Sequence, residues 1–215
     1  MLRFNKPILT ILGGMGPIAG LELHRKIIFN TTVVIDQDHV QIQHISFPNL
    51  ISDRSDYLIK KHGNNPGSQA GQLLKSIIQD NPSKYIIGVP CNTFHSPIIF
   101  NLFQSIITFN KPNVEIINMV KSTVKYLEYK QYKKIGILCT NGKRQDNLYQ
   151  DLISKKNMEL VMISTSKQHQ KVDCIILDCM ELPLDFSNKY CQNIEIINPI
   201  DILAKEMVKI YNDKI

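Results

Sequence analysis

The chain has 215 residues, 43% of them hydrophobic and 20% charged, with a formal net charge of +6. These are the proportions of an ordinary soluble globular protein, long enough for one large domain or two small ones. Its basic residues are scattered, as in Lys60-Lys61, Lys133-Lys134 and Lys155-Lys156, with no aromatic-interleaved stripe for a nucleic acid, and no apolar run reaches membrane-spanning length.

In chain order, Pro7 to Leu12 is a continuous apolar run, the pattern of a strand buried on both faces. Gly13-Gly14-Met15-Gly16 ends it, and Pro17 opens a predicted helix to Thr31 at the position where proline is tolerated. A strand follows over Val40 to Ser46, then a polar loop from Phe47 to Tyr57, then a helix from Ser68 to Gln79. Tyr85 to Val89 is the third strand, Pro97 to Ile107 a helix, and Val114 to Ile117 a short strand.

The pattern then begins again. Val120 to Tyr129 reads as helix, Lys134 to Cys139 as strand with Thr140-Asn141-Gly142 as its polar exit, and Gln145 to Lys156 as helix. Strands follow over Glu159 to Ser164, Val172 to Leu177 and Ile194 to Ile197, and Pro199 to Asn212 is a closing helix. KPILTILGGMG is similar to YKKIGILCTNG, and KYIIGVPCNT to VDCIILDCME, a weak internal repeat. Strands alternating with helices predict a parallel sheet in each half, and the handedness of the crossovers predicts similar topologies. The expectation is an α/β protein of two pseudo-symmetric parallel-sheet domains, residues 1–117 with 198–215 and residues 118–197, facing one another across a cleft. Only TSKQHQK separates two strands of the second half, which is short for a packed crossover helix. The second domain is therefore expected to be abbreviated, with one sheet face less covered, or to contain an antiparallel hairpin at that point.

The chemistry concentrates at KYIIGVPCNTFH, residues 84–95, where a buried strand stops at Pro90 and delivers Cys91, Asn92 and Thr93 to its carboxyl end. That edge is where open α/β sheets bind ligands. Cys179 arrives in the same way after Val172 to Leu177. The other cysteines are Cys139 and Cys174, inside strand patterns and read as small buried hydrophobes, and Cys191, in a polar stretch. An odd count without a CxxC pair fits neither a zinc site nor a secreted disulfide framework, and points to reduced thiols in the cytoplasm. The glycines of residues 13–16 permit close backbone approach but lack the GxGxxG spacing of a dinucleotide site. Asn92 and Thr93 suit either a substrate carboxylate or a helix cap. His95 reads as a group that tunes Cys91 or as a structural residue. Arg54 has a guanidinium fork suited to a carboxylate, or a surface pairing with Asp53 or Asp56. Asp178 would disfavour a thiolate at Cys179 if it faced the same side, and strand alternation turns neighbours to opposite sides.

Gly13-Gly14-Met15-Gly16-Pro17, Ser52-Asp53-Arg54, Pro90-Cys91-Asn92-Thr93 with His95, Cys179 with Glu181, and Asn198-Pro199-Ile200-Asp201 together resemble, in order and over nearly the whole chain, the aspartate/glutamate racemase family of cofactor-independent amino-acid racemases. Where that family usually has glycine-cysteine-threonine-glutamate, this chain has Asp178-Cys179-Met180-Glu181, and Gly20 stands where relatives often carry threonine. The resemblance implies two α/β domains in a homodimer, no pyridoxal phosphate or other cofactor, and no metal. It implies Cys91 and Cys179 as the catalytic acid/base pair on a small dicarboxylic amino acid. Gly14, Met15, Arg54, Asn92, Thr93, Thr140 and Asn141 would bind substrate, with His95 and Glu181 behind them. The alternatives are a relative that binds a small carboxylate without turnover, or a one-sided isomerase or lyase using Cys91.

Overall fold

A computed structural model describes residues 6–78, 84–109, 113–138, 147–163, 171–178 and 194–214. Its strands are β1 (Ile8–Leu12), β2 (Gln41–Ile45), β3 (Tyr85–Gly88), β4 (Val114–Ile117), β5 (Lys134–Leu138), β6 (Glu159–Ile163), β7 (Cys174–Leu177) and β8 (Glu195–Ile197). Its helices are α1 (Pro17–Phe29), α2 (Arg54–Lys60), α3 (Pro66–Ile78), α4 (Pro97–Thr108), α5 (Met119–Tyr129), α6 (Gln150–Ser154) and α7 (Pro199–Asn212).

The strands form two parallel four-stranded sheets, ordered β2-β1-β3-β4 and β6-β5-β7-β8. The two orders are the same, so the internal repeat corresponds to a repeated topology: β1 and β5 are inner strands, as are β3 and β7. This is the expected α/β fold with two parallel sheets.

Both faces of the first sheet are buried, and strand alternation sorts their side chains. Ile8 and Leu12 of β1 join Tyr85 and Ile87 of β3 under Leu74 of α3 and Phe103 of α4. Leu9 and Ile11 point the other way and pack with Leu23 and Ile27 of α1 and with Leu203 and Met207 of α7. Gly88 lets α7 lie close, since a Cβ there would stand 2.5 Å from the Met207 sulfur. In the second sheet, Ile135, Ile137, Cys174 and Ile176 pack with Val124 and Leu127 of α5 and Ile153 of α6.

The edge strands β4 and β8 end alike, in Ile117-Asn118 and Ile197-Asn198. Each asparagine side chain caps the next helix, Asn118 accepting from the Lys121 amide and Asn198 from the Ile200 amide. The two helices then trade sheets. α5 follows the first sheet and packs on the second, whereas α7 follows the second and packs on the first.

Several expectations are corrected. The polar loop of residues 47–57 becomes helical at Arg54, because the Asp53 side chain caps the Asp56 amide and half-buried Tyr57 and Leu58 pack on the core. The following helix starts at Pro66 rather than Ser68. A hairpin between β6 and β7 is excluded, since both run parallel to β5 on its opposite sides. The helix expected over residues 145–156 is described only as α6, Gln150–Ser154. The short link TSKQHQK lies largely in residues 164–170, outside the described residues, and with it the expectation of a barer sheet face.

Candidate active site

All strands of each sheet point the same way, so the loops leaving β1, β3, β5 and β7 gather at carboxyl edges. Two of the expected site segments lie in the first sheet and are described completely. After β1 the chain turns through Gly13 and Gly14. Gly14 has φ 83°, a left-handed conformation that side chains disfavour, and a Cβ there would stand 3.1 Å from the Phe47 amide nitrogen. Met15 is buried in the core shared with β3, α3 and α4.

Arg54, at the start of α2, turns back to that glycine turn. Its Nη2 donates to the Met15 carbonyl at 3.1 Å and its Nη1 to the Ser52 carbonyl at 3.3 Å. Ser52 is held in turn, its amide donating to Gln69 Oε1 at 2.8 Å. The alternative of a surface pair with Asp53 or Asp56 is not formed. Asp53 caps its own helix, and Asp56 pairs with Lys60. The guanidinium thus touches two carbonyls, and its Nε–H is buried with no hydrogen bond among the described residues. A cation placed this way has donors to spare for an anion.

After β3 the chain folds around the Val89 carbonyl, which accepts from the Cys91 amide at 2.9 Å and from His95 Nε2 at 3.0 Å. A carbonyl only accepts, so His95 carries its proton on Nε2 in this contact. The ring is buried between Phe94 and Phe100. His95 therefore shapes the turn that presents Cys91. The thiol is half-buried and packs on the cluster that contains Met15, so Met15, Arg54 and Cys91 share one side of the sheet.

The side chain of Asn92 does not cap the helical turn that it starts. It reaches the other sheet instead. Asn92 Nδ2 donates to the main-chain carbonyl of Asp178 at 2.8 Å, and the Tyr149 hydroxyl donates to Asn92 Oδ1 at 2.9 Å. The Asp178 amide in turn donates to the Leu138 carbonyl at 3.0 Å, which ties the end of β7 to the end of β5. The carboxyl edges of the two sheets therefore meet at Asn92.

The chain can now be set beside known structures. No family model matches it. The structure superposes on Picrophilus torridus aspartate racemase with a TM-score of 0.74 and 24% identity, over 96% of this chain and 94% of that one. Glutamate racemase from Aquifex pyrophilus matches with a TM-score of 0.61 and 17% identity, over 95% of this chain and 83% of that one. The maleate isomerase Iso of Pseudomonas putida matches with a TM-score of 0.60 and 10% identity, over 96% of this chain and 93% of that one.

The fold is that of the aspartate/glutamate racemases.

Within this racemase fold, the structure places Gly14, Met15, Arg54, Cys91, Asn92, Thr93 and His95 on the carboxyl side of the first sheet. Cys179, Glu181, Thr140 and Asn141 lie outside the described residues, as do Cys139 and Cys191. Cys174 is fully buried in β7, as its strand pattern indicated, and its thiol is pushed up to about 12 by burial, with Asp173 and Glu195 adding to the effect. Among the described residues no group of three or more His, Cys, Asp or Glu side chains could hold a metal ion, and no helix is long and apolar enough to cross a membrane.

Sequence reading missed Tyr149 and His44. Tyr149 lies in the unremarkable run Asn147-Leu148-Tyr149-Gln150, and only its burial distinguishes it. His44 on β2 fills the space above two glycines. A Cβ on Gly20 would stand 2.6 Å from its Nε2, and a Cβ on Gly13 2.8 Å. The absence of a side chain at position 20 is thus matched by the imidazole of His44. The available signal was a polar residue in the strand Val40 to Ser46, paired opposite Ile11.

Proposed function

We propose that this protein is a cofactor-independent amino-acid racemase acting on aspartate or glutamate. Cys91 serves one face of the α-carbon and Cys179 the other. The observation that carries the proposal is the hydrogen bond from Asn92 to the Asp178 carbonyl. Asn92 follows Cys91 in the chain, and Asp178 precedes Cys179. The contact supports a single cleft served by both cysteine-bearing strand ends. The likeness to racemase and isomerase structures supports the same reading at the level of fold.

In this reading one cysteine, as thiolate, takes the α-proton and the electron pair stays on the substrate carbon. The other cysteine, as thiol, returns a proton to the opposite face and is left as thiolate. The reverse reaction exchanges their roles. Thiolates suit the task because surroundings tune their pKa. Arg54, which has no carboxylate partner among the described residues, takes the substrate's side-chain carboxylate. The backbone around Gly14 and Met15, with Asn92, Thr93, Thr140 and Asn141, holds the α-carboxylate and steadies the carbanion-like transition state. Glu181 orients the second site. The enzyme works as a homodimer without metal or pyridoxal phosphate.

The test is α-proton exchange in deuterated water, followed by NMR for each enantiomer of aspartate and glutamate. Exchange from both enantiomers of one amino acid, lost in Cys91→Ala and in Cys179→Ala, is the expected result. Exchange from one enantiomer only would overturn the two-cysteine mechanism in favour of a one-sided isomerase or lyase. Binding without exchange would make the protein a carboxylate-binding relative.

A further inference from the structure

The amide of Asn92 is held from both ends by the opposite lobe. Its orientation follows from chemistry: the Asp178 carbonyl can only accept, so the NH2 of Asn92 faces it and Oδ1 faces Tyr149. The Tyr149 hydroxyl is therefore the donor. Tyr149 is 1% exposed and its ring belongs to the core of the second lobe, packed with Leu148 and Ile153. The hydroxyl is thereby held in place by a packed core. On the other side, the Asn92 backbone is held by its own turn, its carbonyl accepting from the His95 amide at 2.9 Å.

We propose that Tyr149 is a positioning residue, which by orienting the Asn92 amide latches the Cys91 turn to the strand end that leads into Cys179. The catalytic part of this proposal rests on the racemase reading above; the latch itself does not. Replacing the hydroxyl leaves Oδ1 of Asn92 without its donor and lets the amide turn away from the Asp178 carbonyl. The contact between the Cys91 turn and the end of β7 then loses one of the two hydrogen bonds that direct it. Displacing reacting groups by about 1 Å can cost on the order of 100-fold in rate, while substrate binding at Arg54 is untouched. A carboxylate at position 92 could not serve, because it would set an acceptor against the Asp178 carbonyl.

The experiment combines a double-mutant cycle with kinetics. Tyr149→Phe keeps the ring in its core, and Asn92→Ala removes the other end. In urea unfolding of the whole chain, Tyr149→Phe is expected to lower the midpoint in the wild-type background and to leave it nearly unchanged in the Asn92→Ala background. Additive midpoints overturn the latch, whatever chemistry the protein performs. In the deuterium-exchange assay, Tyr149→Phe is expected to lower kcat roughly tenfold and to raise KM by less, because the hydrogen bond it removes orients Asn92, which also meets the substrate carboxylate. A coupled cycle with unchanged kcat, or a loss confined to KM, overturns the positioning role. A wild-type protein that exchanges neither amino acid refutes the racemase reading and with it the catalytic role of Tyr149, and the cycle alone still decides the latch.

Discussion

Arg54 donates through Nη2 to the main-chain carbonyl of Met15, 39 residues earlier in the chain, and so ties the first turn of α2 to the glycine turn after β1. A lysine could supply the charge, but not the planar fork that meets two carbonyls and still presents further donors. Arg54→Lys is expected to raise KM for the proposed dicarboxylic substrate at least tenfold while changing kcat less. It should also lower stability by about 1 kcal/mol through the lost carbonyl contact. Steady-state kinetics and urea unfolding on the same preparation check both.

Gly67 lets α3 approach α4. A Cβ at that position would stand 2.0 Å from the Ile99 carbonyl oxygen and 2.9 Å from its carbon. Backbone cannot move aside as a side-chain tip can. The gain in helix propensity from alanine, about 1 kcal/mol, is opposed by overpacking that costs about 1–3 kcal/mol. Gly67→Ala is therefore expected to lower the urea midpoint, with little change in the denaturant slope.

His44 sets a pH dependence of stability. Burial lowers its pKa, and the neighbouring His24, edge-on with ring centroids 5.7 Å apart, lowers it further. A histidine depressed in the folded state stabilises the fold above its unfolded pKa, about 6.5. That contribution is lost as pH falls through the folded value, because the unfolded chain binds the proton more readily. Urea midpoints are expected to drop between pH 7 and pH 5 in the wild-type protein. The drop should be smaller in His44→Gln, which cannot take up the proton.

Cys174 is expected to resist alkylation. Its thiol, raised to about 12 by burial and then by Asp173 and Glu195, is almost wholly protonated at pH 8. Iodoacetamide at pH 8 should leave it unmodified in the native protein and modify it in urea, as read by peptide mass mapping.

The parts of this fold that could be read from sequence are those with one dominant physical cause. Ile8 to Leu12 and Tyr85 to Gly88 are almost wholly apolar, with Thr10 the exception in the first, because they are inner strands covered on both faces. The glycines before Pro17 and the strand-end position of Cys91 declare a turn and a thiol in the same local way. What escaped depends on particular partners, most of them distant in the chain. The α2 segment is polar and mostly exposed, so nothing periodic marks it, and its cap at Asp53 and its contacts through Tyr57 and Leu58 decide its state. The placement of β6 and β7 on either side of β5 is a pairing choice that neither strand encodes by itself. Asn92 belongs to a residue type that favours helix caps, yet its side chain goes to Asp178 and Tyr149, 86 and 57 residues away.

The exchange of α5 and α7 between the sheets bears on how the chain is made. Leu9 and Ile11 pack on Leu203 and Met207 as well as on Leu23 and Ile27 of α1, so part of one face of the first sheet stays open to water until the second sheet has left the ribosome. Contacts this far apart in sequence are slow to form. The growing chain carries that uncovered apolar patch from the completion of β4 until α7 emerges, which makes it a natural target for a chaperone that recognises exposed hydrophobic surface.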